Sequence, residues 1–244
     1  MAKRKKPALQ LTDPLVNEIV HQVAPKVTQL TGWELSLDTL NCRVLPNDRG
    51  YEELLVTRLN EIALQDCLDL LPDMFERMLE FLIEQNTLAA YLPETGEILV
   101  LRENVDDSNL DGLRLVLAHE LVHRGQHIAH GHLYRRLQQL LQLAFTELQS
   151  ADPNFSQILR TIDEINPIMT LLESHAAYVQ SILKQACFPN AIIESHFNLA
   201  TLLMSLVGAQ KLAQYTDGLP QIKAATASGN VEAFYTAYEK EDSA

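Results

Sequence analysis

The stretch LAHELVHRGQH, residues 117–127, holds three histidines spaced by four residues and a glutamate directly after the first of them. On a helix, His119 and His123 lie ~6 Å apart along the axis and differ by about 40° around it, so both imidazoles project from one face. Two such imidazoles converge on one zinc ion, and the carboxylate of Glu120 can lie beside a zinc-bound water and take its proton. The pattern His-Glu-x-x-His therefore predicts a catalytic metal site on a helix.

The third histidine of the stretch, His127, lies on the same face but too far along the helix to share that ion. Eight residues correspond to ~12 Å of rise between His119 and His127. We expect His127 to support the site from beside it or to face solvent. The competing interpretation of the whole stretch is an amphipathic core helix whose histidines bind no metal.

Local signals predict where this helix begins and ends. Ser108, followed three residues later by Asp111, is typical of an N-terminal capping box. Gly131 can close the helix at about residue 130. The metal motif is therefore expected inside a well-capped helix.

A strand pair is predicted directly upstream. The apolar runs 88–92 and 98–101 flank the turn sequence Pro93–Gly96. Residues 33–37 and 42–44 alternate between apolar and polar side chains, which favours one or two further strands.

The remainder of the chain is predicted to be helix and loop. Thr12 and Asp13 before Pro14 mark the start of the first helix, and Thr31-Gly32 marks its end. Helical periodicity covers residues 15–23, 51–64, 71–85, 132–150, 155–165, 168–187, 190–214 and 231–239. The fold class predicted is α+β and mainly helical.

Three parts of the chain are expected to differ in organisation. Residues 1–10 are predicted to be a disordered basic tail. Residues 11–130 are predicted to form an N-terminal subdomain with a small sheet and the His-rich helix, and residues 131–244 a helical C-terminal subdomain. A cleft between the two subdomains would hold the metal.

Composition excludes several classes of partner. The 244 residues carry 19 basic and 32 acidic side chains, a net charge of −13 that disfavours nucleic acid and anionic membranes. There is no apolar run of membrane-spanning length and no secretory signal after the first residues. The widely spaced Cys42, Cys67 and Cys187 are typical of reduced thiols. Together these features predict a cytoplasmic protein.

A catalytic zinc needs a third protein ligand. The metzincin pattern fails on register, because Gln126 and Ala129 stand where it requires glycine and histidine. Glu173, in the otherwise apolar segment LLESHAAYVQ, is the best alternative, since a buried carboxylate needs a partner. Glu194, in AIIESHFNLA, competes for the same role.

The order of these elements resembles the zincin fold. A strand pair, the His119–His123 helix and a later Glu-x-x-Ala-x-Tyr segment (Glu173, Ala176, Tyr178) look most like the gluzincin branch of zinc metallopeptidases, whose third ligand is a glutamate. The segment LLESHAAYV is similar to the Leu-Glu-Gly-His-Ala segments of bacterial zincin-like proteins of unassigned function. The resemblance covers roughly residues 88–180.

The resemblance implies roles for four residues. His119, His123 and Glu173 would bind Zn²⁺, which is the cofactor expected. Glu120 would polarise the attacking water and pass its proton to the leaving amine.

It also implies a substrate-binding strand and an oxyanion donor. The strand near Ile98–Leu101 would be an edge strand that pairs with an extended peptide. His175, Tyr178 and His196 are the candidate donors to the oxyanion of the tetrahedral intermediate.

The chain departs from the family pattern directly after the second histidine. Active members usually have an uncharged residue there and then an apolar one, whereas this chain has Arg124 and Gly125. The function expected is a zinc-dependent hydrolase, most simply a metallopeptidase acting on a peptide or protein substrate. Two alternatives stay open: a zincin-fold protein that uses its cleft for binding or assembly without proteolysis, and a helical interaction protein without metal.

Overall fold

The polypeptide was analysed as a computed structural model, which describes part of the chain. The described residues are 11–50, 53, 88–106, 109–148, 150, 152–192, 220–226, 231–233, 235 and 236. Within them the chain is mainly helical with one small three-stranded sheet, in agreement with an α+β class. The helices predicted at 51–64, 71–85 and 190–214 fall almost entirely outside the described residues.

The first helix, α1, spans Asp13–Thr31 and has the predicted boundaries. Its backbone ends at Gly32, whose φ of 77° lies in the left-handed region that glycine adopts without strain. The carboxylate of Asp13 accepts a 2.7 Å hydrogen bond from the backbone N–H of Val44. This bond ties the start of α1 to the sheet.

The sheet has the strand order β1-β3-β2, where β1 is Asn41–Leu45, β2 is Ala89–Leu92 and β3 is Glu97–Leu101. β1 pairs with β3 in parallel, and β2 pairs with β3 as an antiparallel hairpin. The strand over Ile98–Leu101 is therefore central, and the prediction that it is an edge strand was wrong. The prediction failed because β3 also pairs with β1, a strand more than 50 residues earlier whose pairing leaves no local signal in the sequence.

Of the one or two strands predicted at residues 33–37 and 42–44, the second is β1, and residues 33–37 form none. Ser36 adopts a left-handed conformation with φ 45°, and a 3₁₀ turn follows at Leu37–Thr39. The carbonyl oxygens of Leu35 and Ser36 accept hydrogen bonds from the side chain of Arg124 rather than from a neighbouring strand. The alternating pattern was thus overridden by a side chain almost 90 residues away.

The His-rich stretch lies in helix α2, Leu110–Ala129. Its N-cap is Asn109, whose side-chain oxygen accepts a 3.0 Å hydrogen bond from the backbone N–H of Gly112. The prediction of Ser108 as the cap was wrong by one position, and Ser108 itself lies outside the described residues. Asp111 pairs with Arg114 instead of completing a capping box.

Two further helices follow, α3 over Gly131–Leu148 and α4 over Phe155–Cys187. Gly131 begins α3 rather than closing α2, whose C-cap is His130. α4 runs unbroken through Pro167, where two helices were predicted. Ile165 and Ile168, on either side of the proline, are both buried in one core cluster, so packing of a continuous face outweighs the lost backbone hydrogen bond.

Two hydrophobic clusters meet at α4. The first unites α1, the sheet and α2 with the C-terminal half of α4. The second unites α3, the N-terminal half of α4 and the segments that contain Ile222 and Tyr235. Trp33 packs against both clusters. Because α4 belongs to both, residues near its middle lie where the two halves of the core join.

Two simple findings bear on the environment of the protein. No helix in the described ranges combines the length and apolar character needed to cross a membrane. Cys42 and Cys187 form no disulfide within the described part of the chain, and Cys67 lies outside it. Burial raises the pKa of Cys42 to about 12.

Candidate metal centre

The structure brings together the three side chains that were predicted to bind zinc. Nε2 of His119 lies 3.4 Å from Oε2 of Glu173, and Nε2 of His123 lies 3.6 Å from Oε1 of the same carboxylate. One potential ligand atom from each of the three residues lies within 4.8 Å of the others. Helix α2 thus supplies two imidazoles and α4 the carboxylate that faces them.

The distances from the two imidazole nitrogens to the carboxylate oxygens are close to those between ligand atoms that share one zinc ion. Ligand atoms 2.0–2.1 Å from a tetrahedral zinc are about 3.3 Å from one another. N–H···O hydrogen bonds are usually shorter, at about 2.7–3.2 Å. The donor set, two imidazole nitrogens and a carboxylate, is also one that zinc prefers.

The cluster is largely removed from solvent. His119 is 3% exposed, and the side chain of Glu173 is 13% exposed. Desolvation alone would lower the pKa of His119, but the hydrogen bond and charge of Glu173, with the charge of Glu120, raise it instead. The apolar sequence around Glu173 predicted that its carboxylate needs a partner, and His119 and His123 are its neighbours.

The orientation of His123 is fixed by Gln126, one turn further along α2. Nδ1 of His123 lies 2.8 Å from Oε1 of Gln126. An amide oxygen only accepts hydrogen bonds, so Nδ1 carries a proton, and in the neutral ring the lone pair is on Nε2. That lone pair belongs to the nitrogen that approaches Glu173, which is the tautomer a metal ligand requires.

The orientation of the Gln126 amide is itself determined by its other contacts. Its Nε2 donates to the carbonyl oxygen of Leu172 at 2.8 Å and to the hydroxyl of Tyr235 at 3.0 Å. A carbonyl oxygen accepts only from the NH₂ end, so the amide oxygen must face His123. Gln126 entered the sequence analysis only as a mismatch to the metzincin pattern, and Tyr235 was missed altogether. The only sequence signal for this contact is that Gln126 follows His123 by three residues, which places both side chains on the same face of the helix.

Glu120 lies next to the two candidate ligand histidines and is bonded to the sheet. Its Oε2 accepts a 2.8 Å hydrogen bond from the backbone N–H of Tyr91 in β2. Burial raises the pKa of Glu120, and the charges of His119 and His123 only partly oppose that rise. Within the described part of the chain, Oε1 takes no hydrogen bond. The carboxylate is therefore anchored by one oxygen with the other available for proton transfer.

The two departures from the family pattern have structural explanations. Arg124 is buried and directs its guanidinium at the loop before β1, where it donates to the carbonyl oxygens of Leu35 and Ser36 at 2.6 and 2.7 Å. A Cβ atom at Gly125 would lie 2.9 Å from Cε3 of Trp33, closer than such contacts allow. Both residues shape the packing behind the helix rather than the metal face.

The candidate oxyanion donors lie apart from the ligand cluster in their described contacts. Nδ1 of His175 lies 2.8 Å from the hydroxyl of Tyr235, and its ring packs edge-on against Trp33. Burial, with the charges of His130 and His123, lowers the pKa of His175 to about 4. Tyr178 packs against the second core cluster. His196 and the competing ligand candidate Glu194 lie outside the described residues.

His127 is paired with the sheet. Its Nδ1 lies 3.0 Å from the hydroxyl of Tyr91, the residue whose backbone also holds Glu120. Burial and the charges of Arg124 and Arg135 lower the pKa of His127, which favours the neutral ring as acceptor of the phenol proton. His127 is not part of the metal-ligand cluster, in agreement with its predicted distance along the helix.

The arrangement as a whole combines three potential metal ligands, an anchored carboxylate and a strand edge within one small region. Such a combination suits the activation of water next to a polarised carbonyl group. Comparisons with protein-family models, with curated proteins and with solved structures found no match to this chain.

Proposed function

We propose that this protein is a zinc-dependent hydrolase, and more narrowly a metallopeptidase of the gluzincin kind, with His119, His123 and Glu173 as the zinc ligands. The observation that carries the proposal is the approach of both histidine Nε2 atoms to the two oxygens of one carboxylate at 3.4 and 3.6 Å. The hydrogen bond that Nδ1 of His123 donates to Gln126 supports it, because in the neutral ring it leaves the lone pair on Nε2, the nitrogen that faces Glu173.

The residues around the ligands suit peptide hydrolysis. Bound zinc would supply the Lewis acidity that lowers the pKa of water and polarises a carbonyl group. Glu120 accepts a proton from the attacking water at Oε1 and returns it to the leaving amine, while Oε2 stays bonded to the Tyr91 amide. A buried carboxylate with a raised pKa is a stronger base than one in water, which fits this role.

The substrate strand proposed here is β2, in place of the central strand β3. Tyr91 pairs with Ile98 of β3, yet its backbone N–H points away from the sheet towards Glu120. The outer edge of β2 therefore adjoins the proposed base. Because Glu120 occupies the Tyr91 N–H, an extended peptide would lie beside this edge without pairing at that N–H, with a carbonyl carbon close to the carboxylate.

Metal analysis of purified protein is the first test. We expect about one zinc per chain, lost in His119→Ala and in Glu173→Gln, and retained in Glu194→Gln as the matched control for the second glutamate. Zinc-free protein under metal-replete conditions would contradict the proposal.

Hydrolysis is tested separately from metal binding. A mixed peptide library incubated with the zinc-loaded protein should be cleaved, and both a chelator and Glu120→Gln should stop the cleavage. Zinc binding without any cleavage would favour the alternative of a zincin-fold protein that uses the site for binding. Cleavage unchanged by chelation would contradict a metal mechanism.

A further inference from the structure

Gln126 is hydrogen-bonded both to the candidate ligand His123 and to Tyr235, which lies 109 positions after Gln126 in the chain. The amide is fully buried at 0% exposure. Its oxygen faces His123, and its nitrogen donates both protons, one to Leu172 and one to Tyr235. Every strong hydrogen-bonding position of the side chain is used.

The hydrogen bonds of this network run in one direction when the neutral ring of His175 accepts from Tyr235. Burial raises the pKa of Tyr235, so its phenol keeps its proton. Gln126 approaches the phenol with a donor, and the phenol must therefore give its own proton elsewhere. The acceptor is Nδ1 of His175 at 2.8 Å. The order of donation thus runs from His123 to Gln126, from Gln126 to Tyr235, and from Tyr235 to His175.

The Leu172 carbonyl, which can only accept, prevents the Gln126 amide from turning over, and the Tyr235 hydroxyl is a second acceptor while its own proton is directed at His175. A flip would point its oxygen at the Leu172 carbonyl and at the phenol oxygen, and would point its NH₂ group at Nδ1 of His123. The imidazole would then have to move its proton to Nε2, the nitrogen that faces Glu173. The acceptors therefore protect the metal-binding tautomer.

We propose that Tyr235 is a positioning residue for the metal centre: it holds the Gln126 amide, whose oxygen bonds Nδ1 of His123 and so directs Nε2 towards Glu173. This inference rests on the proposed metal site. It makes zinc affinity depend on the segment 231–236, which carries no part of the His-Glu-x-x-His pattern.

Removing the Tyr235 hydroxyl should weaken zinc binding moderately. Tyr235→Phe retains the ring that stacks on His130 at 4.1 Å and removes the hydroxyl that contacts both Gln126 and His175. The Leu172 carbonyl and the Tyr134 hydroxyl, which lies 3.3 Å from Oε1, remain, so the amide keeps part of its restraint. One neutral hydrogen bond corresponds to about a twofold to tenfold change in an equilibrium constant, and we expect a loss of zinc affinity in that range.

A double-mutant cycle separates positioning from packing. Zinc affinity is measured by competition with a chromophoric chelator for the wild type, Tyr235→Phe, Gln126→Met and the double variant. We expect Tyr235→Phe to weaken binding in the wild-type background and to have no further effect beside Gln126→Met. An equal loss in both backgrounds, or no loss in either, would overturn the proposal.

Thr236→Val is the matched control. It removes the neighbouring hydroxyl, which bonds the Glu232 carbonyl of the same segment and does not touch Gln126. Its zinc affinity should equal that of the wild type. A loss as large as that of Tyr235→Phe would mean that any disturbance of the segment weakens the site, which would overturn a specific role for the Tyr235 hydroxyl.

A second readout needs no metal. Nitrogen chemical shifts of the imidazoles in the metal-free protein, recorded in mildly alkaline buffer, report which ring nitrogen is protonated. We expect His123 to be held as the Nδ1–H tautomer in the wild type and to become a mixture in Tyr235→Phe. If the wild type binds no zinc, the proposed function fails while this readout still decides the role of Tyr235, and identical tautomers in both proteins would overturn it.

Discussion

Replacing Arg124 with methionine should destabilise the fold strongly while leaving the zinc affinity of the folded protein nearly unchanged. The buried guanidinium donates to the carbonyl oxygens of Leu35, Ser36 and Gly96 and to the hydroxyl of Thr39. Methionine retains most of the apolar stem and none of the donors. The substitution therefore isolates the hydrogen bonds from the packing.

The expected loss is about 3 kcal/mol in the free energy of unfolding. Each hydrogen bond from a charged donor is worth about 1.5–3 kcal/mol, but the sum is reduced because burying a guanidinium costs several kcal/mol. Leu35 is buried, so its carbonyl loses a partner without gaining water. Ser36 and Thr39 are more exposed, and water replaces much of what they lose.

Urea unfolding followed by circular dichroism measures this loss. The matched control is Arg114→Met on the same helix, where the arginine pairs with Asp111 at the surface and should contribute less than ~1 kcal/mol. A loss in Arg124→Met no larger than in this control would refute the reasoning. A large fall in zinc affinity of the folded variant would show that Arg124 acts on the metal face as well.

Three further predictions concern the site itself. Glu120→Gln should retain zinc in metal analysis and lower peptide turnover by about 10²–10⁴-fold, because the proton acceptor is lost. Gln126→Met should weaken zinc binding about 10–100-fold in a chelator competition, because His123 loses the acceptor that orients it. Acid should destabilise the protein through His175, whose pKa is lowered by burial from 6.5 to about 4. Its contribution to stability is complete above the unfolded-state pKa and is lost as the pH falls from about 6.5 towards 4, which urea unfolding of the wild type and His175→Gln should reveal.

Each of these has an outcome that contradicts it. Loss of zinc in Glu120→Gln would mean that this carboxylate is needed to form the site rather than to move a proton. Wild-type affinity in Gln126→Met would mean that the tautomer of His123 is set elsewhere. Parallel stability curves for the wild type and His175→Gln would mean that the folded protein does not resist protonation of this ring.

The parts of the fold that were predictable depend on local patterns. The boundaries of α1 follow from Pro14 and Gly32, and the hairpin of β2 and β3 follows from the turn at Pro93–Gly96. The three clustered side chains followed from helical geometry and from the need of a buried Glu173 for a partner. Each of these signals lies within a few residues of the feature it predicts.

The features that were missed depend on contacts distant in sequence. β3 is a central strand because β1 pairs with it. Residues 33–37 form no strand, and the carbonyl of Leu35 bonds to Arg124 instead. Pro167 was expected to break a helix that packing keeps continuous. Tyr235 has no local pattern that connects it with His123. Hydrogen bonds between distant segments leave periodicity unchanged, so a single sequence gives no indication of them.

The proline inside α4 is a point where the helix can bend and so displace Glu173. Pro167 has no N–H, so the carbonyl of Asp163 lacks its helical hydrogen-bond partner. The helix has less resistance to bending at this turn. Glu173 lies six residues beyond this point, about 9 Å along the axis, so a bend of ~10° displaces its backbone by about 1.5 Å. Metal coordination tolerates only about 0.2 Å. Bending of α4 at Pro167 would therefore separate Glu173 from the histidines of α2. A metal ion bound by all three residues would oppose that bending.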